Sequence, residues 1–263
     1  MKRSSKISSA LLVPSFYFLL LALWQVSASL RLLPDYLFPS PLDVARRLCE
    51  LGSDHLLWQS IAATLARVVI GFILSASIGL CLGIAMGTNW AVNKTLKSFF
   101  LGMQTLPTVA WTPVAILLFG LSNWGIYFVV IMSSVSAMAI ATADGILNIP
   151  PIYLRAARTL GTPYRAMYVR VIIPAALPTL VTGLKLGWTL GWHGAVSAEL
   201  IKSTVGLGFL LDMGRELDDA AQIIGIMLLI IVFGLLLDKF IFGAVEHRIR
   251  RRWGLTAERD LRR

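Results

Sequence analysis

The chain has 263 residues, of which 57% are hydrophobic and only 14% charged, with a formal net charge of +10. A soluble domain carries roughly 25% charged residues, so composition excludes an ordinary soluble domain and places the chain in a membrane class. Two cysteines, Cys49 and Cys81, are too few for a disulfide framework, and the basic residues flank apolar runs rather than pattern a soluble surface, so no nucleic-acid partner is expected.

A bilayer-crossing helix needs about 20 mostly apolar residues. Six segments qualify: 9–29, 60–88, 97–120, 124–147, 174–198 and 221–244. The first follows Lys2, Arg3 and Lys6 and ends on Val26-Ser27-Ala28, a pattern shared with cleaved leaders. Its apolar run exceeds the 7–15 residues, roughly, of a leader core, so residues 1–29 are read as a retained transmembrane helix. Residues 30–58 form an outer connecting segment broken by Pro34, Pro39 and Pro41. Within it Leu42, Ala45 and Leu48, with Leu56 and Leu57 beyond, suggest a short amphipathic surface helix.

Residues 59–244 carry the remaining spans. Span 60–88 holds Arg67 near its start, which suggests an interfacial first turn. It also holds Gly71, Ser75, Gly79, Gly83 and Gly87 at four-residue intervals. Span 174–198 repeats the device with Thr179, Gly183, Gly187, Gly191 and Ala195. That interval puts each set on one helical face, where small residues let helix backbones approach in lipid. Static packing and sliding during gating both fit. Pro107 and Pro113 interrupt span 97–120, each removing a backbone donor. A broken helix beside a water-filled cavity and a simple kink both fit. Candidate pathway residues are Gln104, Thr105, Thr108, Trp111, Ser133, Ser134 and His193, the last a lone intramembrane imidazole. Asp144 reads as interfacial, and Lys185 is close enough to its span end to snorkel.

Between the fourth and fifth spans lies a polar, basic loop, 148–174. Pro150 and Pro151 permit a fresh helix start, and Gly161 can supply a left-handed cap to a helix over 151–160. Pro163 opens a second short helix to about Val171, and Pro174 begins the fifth span. The expected object is a protruding elbow with small residues at its tip and charges at its rim. Residues 245–263 form a basic tail. Lysine and arginine accumulate in short cytoplasmic loops. With the N-terminus inside, sixteen basic residues lie in the cytoplasm (three before the first span, Lys94, Lys97, four in 155–170, seven from Arg248 on) and five outside (Arg31, Arg46, Arg47, Lys202, Arg215). Both termini are expected inside.

The elbow resembles the EAA loop of ABC importer permeases. Ala156, Ala157, Gly161, Val171, Ile173 and Pro174 fall at the motif's spacing, while Arg155 stands where the motif has Glu. Leu37-Phe38-Pro39-Ser40-Pro41, Leu106-Pro107, Ala110, Pro113, Phe119-Gly120, Ala198-Glu199-Leu200 and Gly206-Leu207-Gly208-Phe209 extend the likeness. So does the stretch from Glu246 to Trp253. Together they are similar to the sulfonate, taurine and nitrate type of importer permease. The resemblance implies an all-α membrane protein, a six-transmembrane-helix type I ABC importer permease bundle in the cell inner membrane. It implies separate ABC ATPase subunits, a soluble or lipoprotein solute-binding protein and a second permease copy, giving a homodimer. It further implies an ATPase-coupling surface over Arg155, Ala156, Ala157, Arg158, Gly161, Tyr164, Arg165 and Pro174. The solute would be a small anion such as an aliphatic sulfonate, taurine or nitrate.

No G-x-x-x-x-G-K-[ST] phosphate loop occurs, so ATP hydrolysis is expected in a partner rather than in this chain. His55, His193 and His247 are scattered, and no cofactor, metal or catalytic constellation is expected. A secondary transporter is the rival reading, but it calls for ionisable groups near the midplane, where His193 alone qualifies. Acidic Asp212, Glu216, Asp218 and Asp219 are candidates for meeting a binding protein.

Overall fold

The computed structural model describes residues 3–30, 34, 37–201, 205–243, 245 and 248. Among them all regular structure is helical. Helix α1 (Arg3–Ser29) covers the first expected span. The Trp24 indole donates to the Pro39 carbonyl at 3.1 Å, tying α1 to the start of α2 (Pro41–Ser53). Ser40 caps α2: its hydroxyl accepts from the Asp43 amide, and Asp43 accepts from the Ser40 amide at 3.2 Å. Pro41 opens the helix because its missing donor costs nothing there. The buried face of α2 is Val44, Leu48 and Leu51, whereas Leu42 and Ala45, expected inward, are exposed. Arg47 sets this rotation by reaching Asp219 at 2.7 Å and Gln222 at 2.9 Å. Leu56 and Leu57 open the next helix.

Three helices form the centre: α3 (His55–Thr88), α6 (Asn123–Leu147) and α9 (Ile173–Leu200). Helix α6 is the axis, with two-thirds of its most apolar stretch buried (67%), against 28% for α3. Both small-residue ridges press on it, and members of both meet Val130 and Met138. On α3, a side chain at Gly71 would strike Val130 at 2.6 Å, and one at Gly79 would strike Met138 at 2.7 Å. Gly83 abuts Thr142 and the Ala139 carbonyl. On α9, Gly183 abuts Ala141, Gly187 abuts Met138, and Gly194 lies on Ser133. Apolar burial gives helices no drive toward each other in lipid, so such close approach supplies the dispersion contacts that hold the bundle.

Segment 97–120 is not one straight span. Helix α4 (Trp90–Gln104) and the stretch Thr108–Phe119 meet at 97°. A 3-10 turn (Thr108–Ala110) leads into α5 (Trp111–Phe119). Pro107 withholds its donor and pushes Leu106 away from helical geometry, so the chain turns where the proline falls. Among the described residues, five spans pass on length and apolarity if this bent pair is one of them, the others being His55–Thr88, Asn123–Leu147, Arg165–Leu200 and Ala220–Gly243. Helices α7 (Pro151–Thr159), α8 (Tyr164–Met167), α10 (Leu207–Glu216) and α11 (Ala220–Asp238) complete the chain.

Charges inside the bundle are paired. Lys97 of α4 meets Asp144 of α6 at 2.5 Å, and Lys185 of α9 meets Asp238 of α11 at 3.0 Å. Neither Asp144 nor Lys185 therefore depends on the interface for its partner. Most of the basic tail, 245–263, lies outside the described residues.

Candidate docking elbow and pathway

Helix α7 begins at Pro151 and ends in a left-handed glycine cap. Gly161 has φ +69, its amide donates to the Arg158 carbonyl at 2.9 Å, and the Thr162 amide donates to Ala157 at 3.0 Å. These two bonds satisfy carbonyls the helix end would leave open. Beyond the turn, α8 does not end near Val171. It continues through a π-helical turn (Tyr168–Ile172) straight into α9. The expected second short helix is thus the first turns of the long α9 rod, and the elbow is continuous with the bundle.

The expected coupling residues divide. Arg155, Ala156, Arg158, Gly161 and Arg165 are exposed, and Pro174 is half-buried. Ala157 faces inward at 6% exposure, packed with Ile149, Met167, Ile172 and Ala176. Its small size serves the elbow's own core. The Tyr164 side chain lies outside the described residues.

The expected pathway residues also divide. Gln104 and Thr105 are exposed at the α4–α5 bend, and Thr108 and Trp111 are half-buried beside it. Trp111 packs edge-on against Phe128, with ring centres 6.3 Å apart. Ser133 and Ser134 lie buried in the seams around α6. Their hydroxyls donate to the Val129 and Val130 carbonyls, and Ser134 also meets Ser75 at 2.6 Å. His193 is exposed on α9. It belongs to a stripe not identified from the sequence: Thr179, Thr182, Leu186, Thr189 and His193, alternating three and four residues apart, all exposed. Four of these five are polar, and Thr179, expected on the ridge, is exposed with them while its Cβ also lies beside Gly145 of α6. Reading the threonines at that spacing would have found it.

A second cluster escaped the sequence reading. Glu199, fully buried at the end of α9, accepts from Arg67 at 2.7 Å, from the Thr64 hydroxyl at 2.8 Å and from the Gly208 amide at 3.2 Å. Arg67 also donates to the Val205 carbonyl at 2.7 Å, and Thr64 accepts from the Leu207 amide at 2.9 Å. Gly206 is required here, since a Cβ would lie 2.5 Å from the Glu199 carboxylate. The clasp welds α3, the end of α9 and the start of α10 together, with Arg67 buried in it. The signal was present in two charges inside apolar helices with no local partner. Nearby, Asp219 is held by Arg47 and Asp212 by Arg215 at 2.6 Å, so of the four acidic candidates only Glu216 and Asp218 stand exposed without an ion pair among the described residues.

Known proteins are similar to this chain in sequence and in fold. The family profile described as "Binding-protein-dependent transport system inner membrane component" matches residues 78–253. The nitrate import permease protein of Leptolyngbya laminosa is 29% identical over 89% of this chain and 85% of its own length. The taurine transport system permease protein of Escherichia coli is 30% identical over 75% of this chain and 74% of its own. A solved inward-facing conformation of the MetNI methionine ABC transporter aligns with TM-score 0.64 at 17% identity, covering 74% of this chain and 96% of that one. The last supports the fold alone; the others carry the family. A basic-rimmed elbow continuous with a membrane helix, a bundle packed on glycine ridges and a matching profile over two-thirds of the sequence lead to one conclusion: the chain belongs to the family of inner membrane components of binding-protein-dependent ABC transport systems.

Proposed function

We propose that this permease imports a small solute bearing an anionic group, such as taurine, another aliphatic sulfonate or nitrate, delivered by a soluble binding protein. Two copies and two ATPase subunits form the working assembly, with both termini of each permease in the cytoplasm. The observation that carries the reading is the continuity of elbow, π-helical turn and α9. The α9 rod runs from the exposed elbow to the Arg67–Glu199 clasp and displays the threonine–histidine stripe along its length. A polar stripe exposed to hydrocarbon would be costly, so it is assigned to the pathway shared with the second copy. Gln104, Thr105, Thr108 and Trp111 at the α4–α5 bend add polar groups to that route. The buried Ser133 and Ser134 enter it only if the seams around α6 open. Exposed Trp58, Trp90 and Trp124, near the starts of α3, α4 and α6, suit the two lipid interfaces.

In this mechanism ATP-driven closure of the ATPases displaces the elbows. Each elbow rotates its α9 rod, and α10 follows because the clasp fixes it to α9. The cavity then turns outward to receive the solute. The test is uptake of labelled taurine, sulfonates and nitrate into proteoliposomes that hold the permease with the ATPase and binding protein encoded beside it. Import that needs both partners and ATP supports the proposal. Import driven by an ion gradient with no ATPase present would instead establish the secondary-transporter reading.

A further inference from the structure

Helix α7 has two unlike faces. Leu154 and Ala157 turn onto the elbow core. Ile152, Arg155, Ala156 and Thr159, spaced i, i+3, i+4 and i+7, form the other face. With Pro150 and Pro151 they line an open hollow of ≈ 490 Å³. Ile152 is 68% exposed and Leu160, just beyond, 82%. Apolar side chains standing in solvent inside a cationic rim have the composition of a protein-docking surface.

Outside the elbow most described cations meet a carboxylate, while Lys94 lies over the Trp90 ring instead. Arg46, Arg47, Arg67, Lys97, Lys185 and Arg215 each meet a carboxylate of this chain. Between Asp144 and Glu199 the sequence contains no acidic residue at all, yet it places Arg155, Arg158, Arg165 and Arg170 there. All four are exposed, and among the described residues none forms an ion pair. Arg155 stands at the wall of the hollow itself. A guanidinium beside a proline-floored recess is shaped to take a planar carboxylate two-pronged.

We propose that this hollow receives an acidic side chain from the ATPase subunit, with Arg155 gripping its carboxylate and Arg158 supplying a second cation. The inference rests on the reading of the elbow as the ATPase-docking element and adds the charge of what docks. An anionic lipid headgroup is the other class of ligand for such cations. The exposed apolar Ile152 and Leu160 beside the cations favour a protein surface, since a headgroup binds cations without apolar contacts.

The test uses the full permease in nanodiscs made only of zwitterionic lipid, titrated with its cognate ATPase. Size-exclusion chromatography first establishes that each variant is intact. Arg155→Ala is expected to weaken ATPase binding by roughly three-fold, the scale of one exposed pair, and Arg155→Glu by roughly tenfold or more through added repulsion. Raising salt should weaken the native complex and not the Arg155→Glu one. Changing one ATPase carboxylate to lysine should restore binding to Arg155→Glu. If Arg155→Glu binds as the native protein does while Gly161→Trp does not bind, docking at the elbow stands and the acidic side chain is wrong. Binding of both variants at native strength would overturn the docking reading as well. An Arg155 effect that appears only in discs containing anionic lipid would assign the hollow to lipid and refute the proposal.

Discussion

Arg67 and Glu199 are 132 residues apart in the chain and 2.7 Å apart in the bundle, where they join the first turns of α3 to the last turn of α9. Glu199 is fully buried and its carboxylate takes two further protein donors, Thr64 and Gly208, so removing either charge leaves the other stranded. Breaking a buried pair from one side typically costs about 3–5 kcal/mol. Glu199→Ala and Arg67→Ala should each destabilise on that scale, and the combined Arg67→Met, Glu199→Leu variant should recover much of the loss. Unfolding in bicelles read at several detergent fractions measures all three. Single variants within about 1 kcal/mol of native would make the clasp no more than a surface pair.

The glycine ridges make a sharper prediction about position. At Gly83 a Cβ would meet the Ala139 backbone carbonyl at 2.6 Å, and backbone cannot move aside as a side chain can. Gly83→Ala is expected to cost about 1–3 kcal/mol or more. Gly102→Ala, with nothing within 4 Å, should be neutral or gain about 0.4–1 kcal/mol from reduced unfolded-chain freedom. Membrane yield and melting temperature of the pair decide it, and equal behaviour would remove the ridge from the account of packing.

Thiol labelling tests which residues meet water. On a Cys49→Ser, Cys81→Ala background, Thr189→Cys and His193→Cys should react with a water-soluble thiol reagent, since reaction requires thiolate and hence water. Leu20→Cys and Ile231→Cys, exposed on apolar stretches of α1 and α11, should stay silent. Ser134→Cys is buried against Ser75 and should react only if nucleotide trapping opens the α3–α6 seam. Silence at both Thr189→Cys and His193→Cys in every state would move the pathway off α9.

The capping box of α2 carries a pH dependence. Asp43 is held below its ordinary value of 3.8, first by the Ser40 hydroxyl and then by the Ser40 amide. A carboxyl with a depressed folded value stabilises above its unfolded value, and the contribution disappears as pH falls through the folded one. The helical carbon shift of Ala45 should therefore persist at neutral pH and decline only below the ordinary carboxylate range. Ser40→Ala should move that decline to higher pH and weaken the helix by about 1 kcal/mol. An unchanged profile would mean that Pro41 and packing alone hold α2.

Gly161 offers a readout at the elbow. Its φ of +69 lies where an ordinary side chain is strained, although nothing stands within 4 Å. Gly161→Asn should retain ATPase coupling, because Asn tolerates the left-handed conformation. Gly161→Val should lose it while inserting normally. ATPase stimulation by loaded binding protein compares the two, and coupling retained by Gly161→Val would show that the elbow's angle does not matter.

Much of this molecule was legible along the chain because its signals are local. Apolar runs marked the long helices, Pro107 marked the 97° turn, and Pro150, Pro151 and Gly161 marked both ends of α7. Each acts on its own backbone within a few residues, so neighbours in sequence suffice to read it. The same locality misled at Val171, where a helix end was expected and the π-helical turn instead carries the helix through. Tertiary structure alone decided which way faces point and who meets whom. The two glycine ridges had equal local signatures that fit packing on each other as well as on a third helix, and in the bundle both abut α6. Ala156 and Ala157 are adjacent and chemically identical, and rotation of α7 about its axis exposes one and buries the other. Glu199 carried no nearby hint of Arg67. A charge in an apolar helix needs a partner, but which partner depends on the relative height of α3 and α9, a quantity that exists only once the bundle has packed.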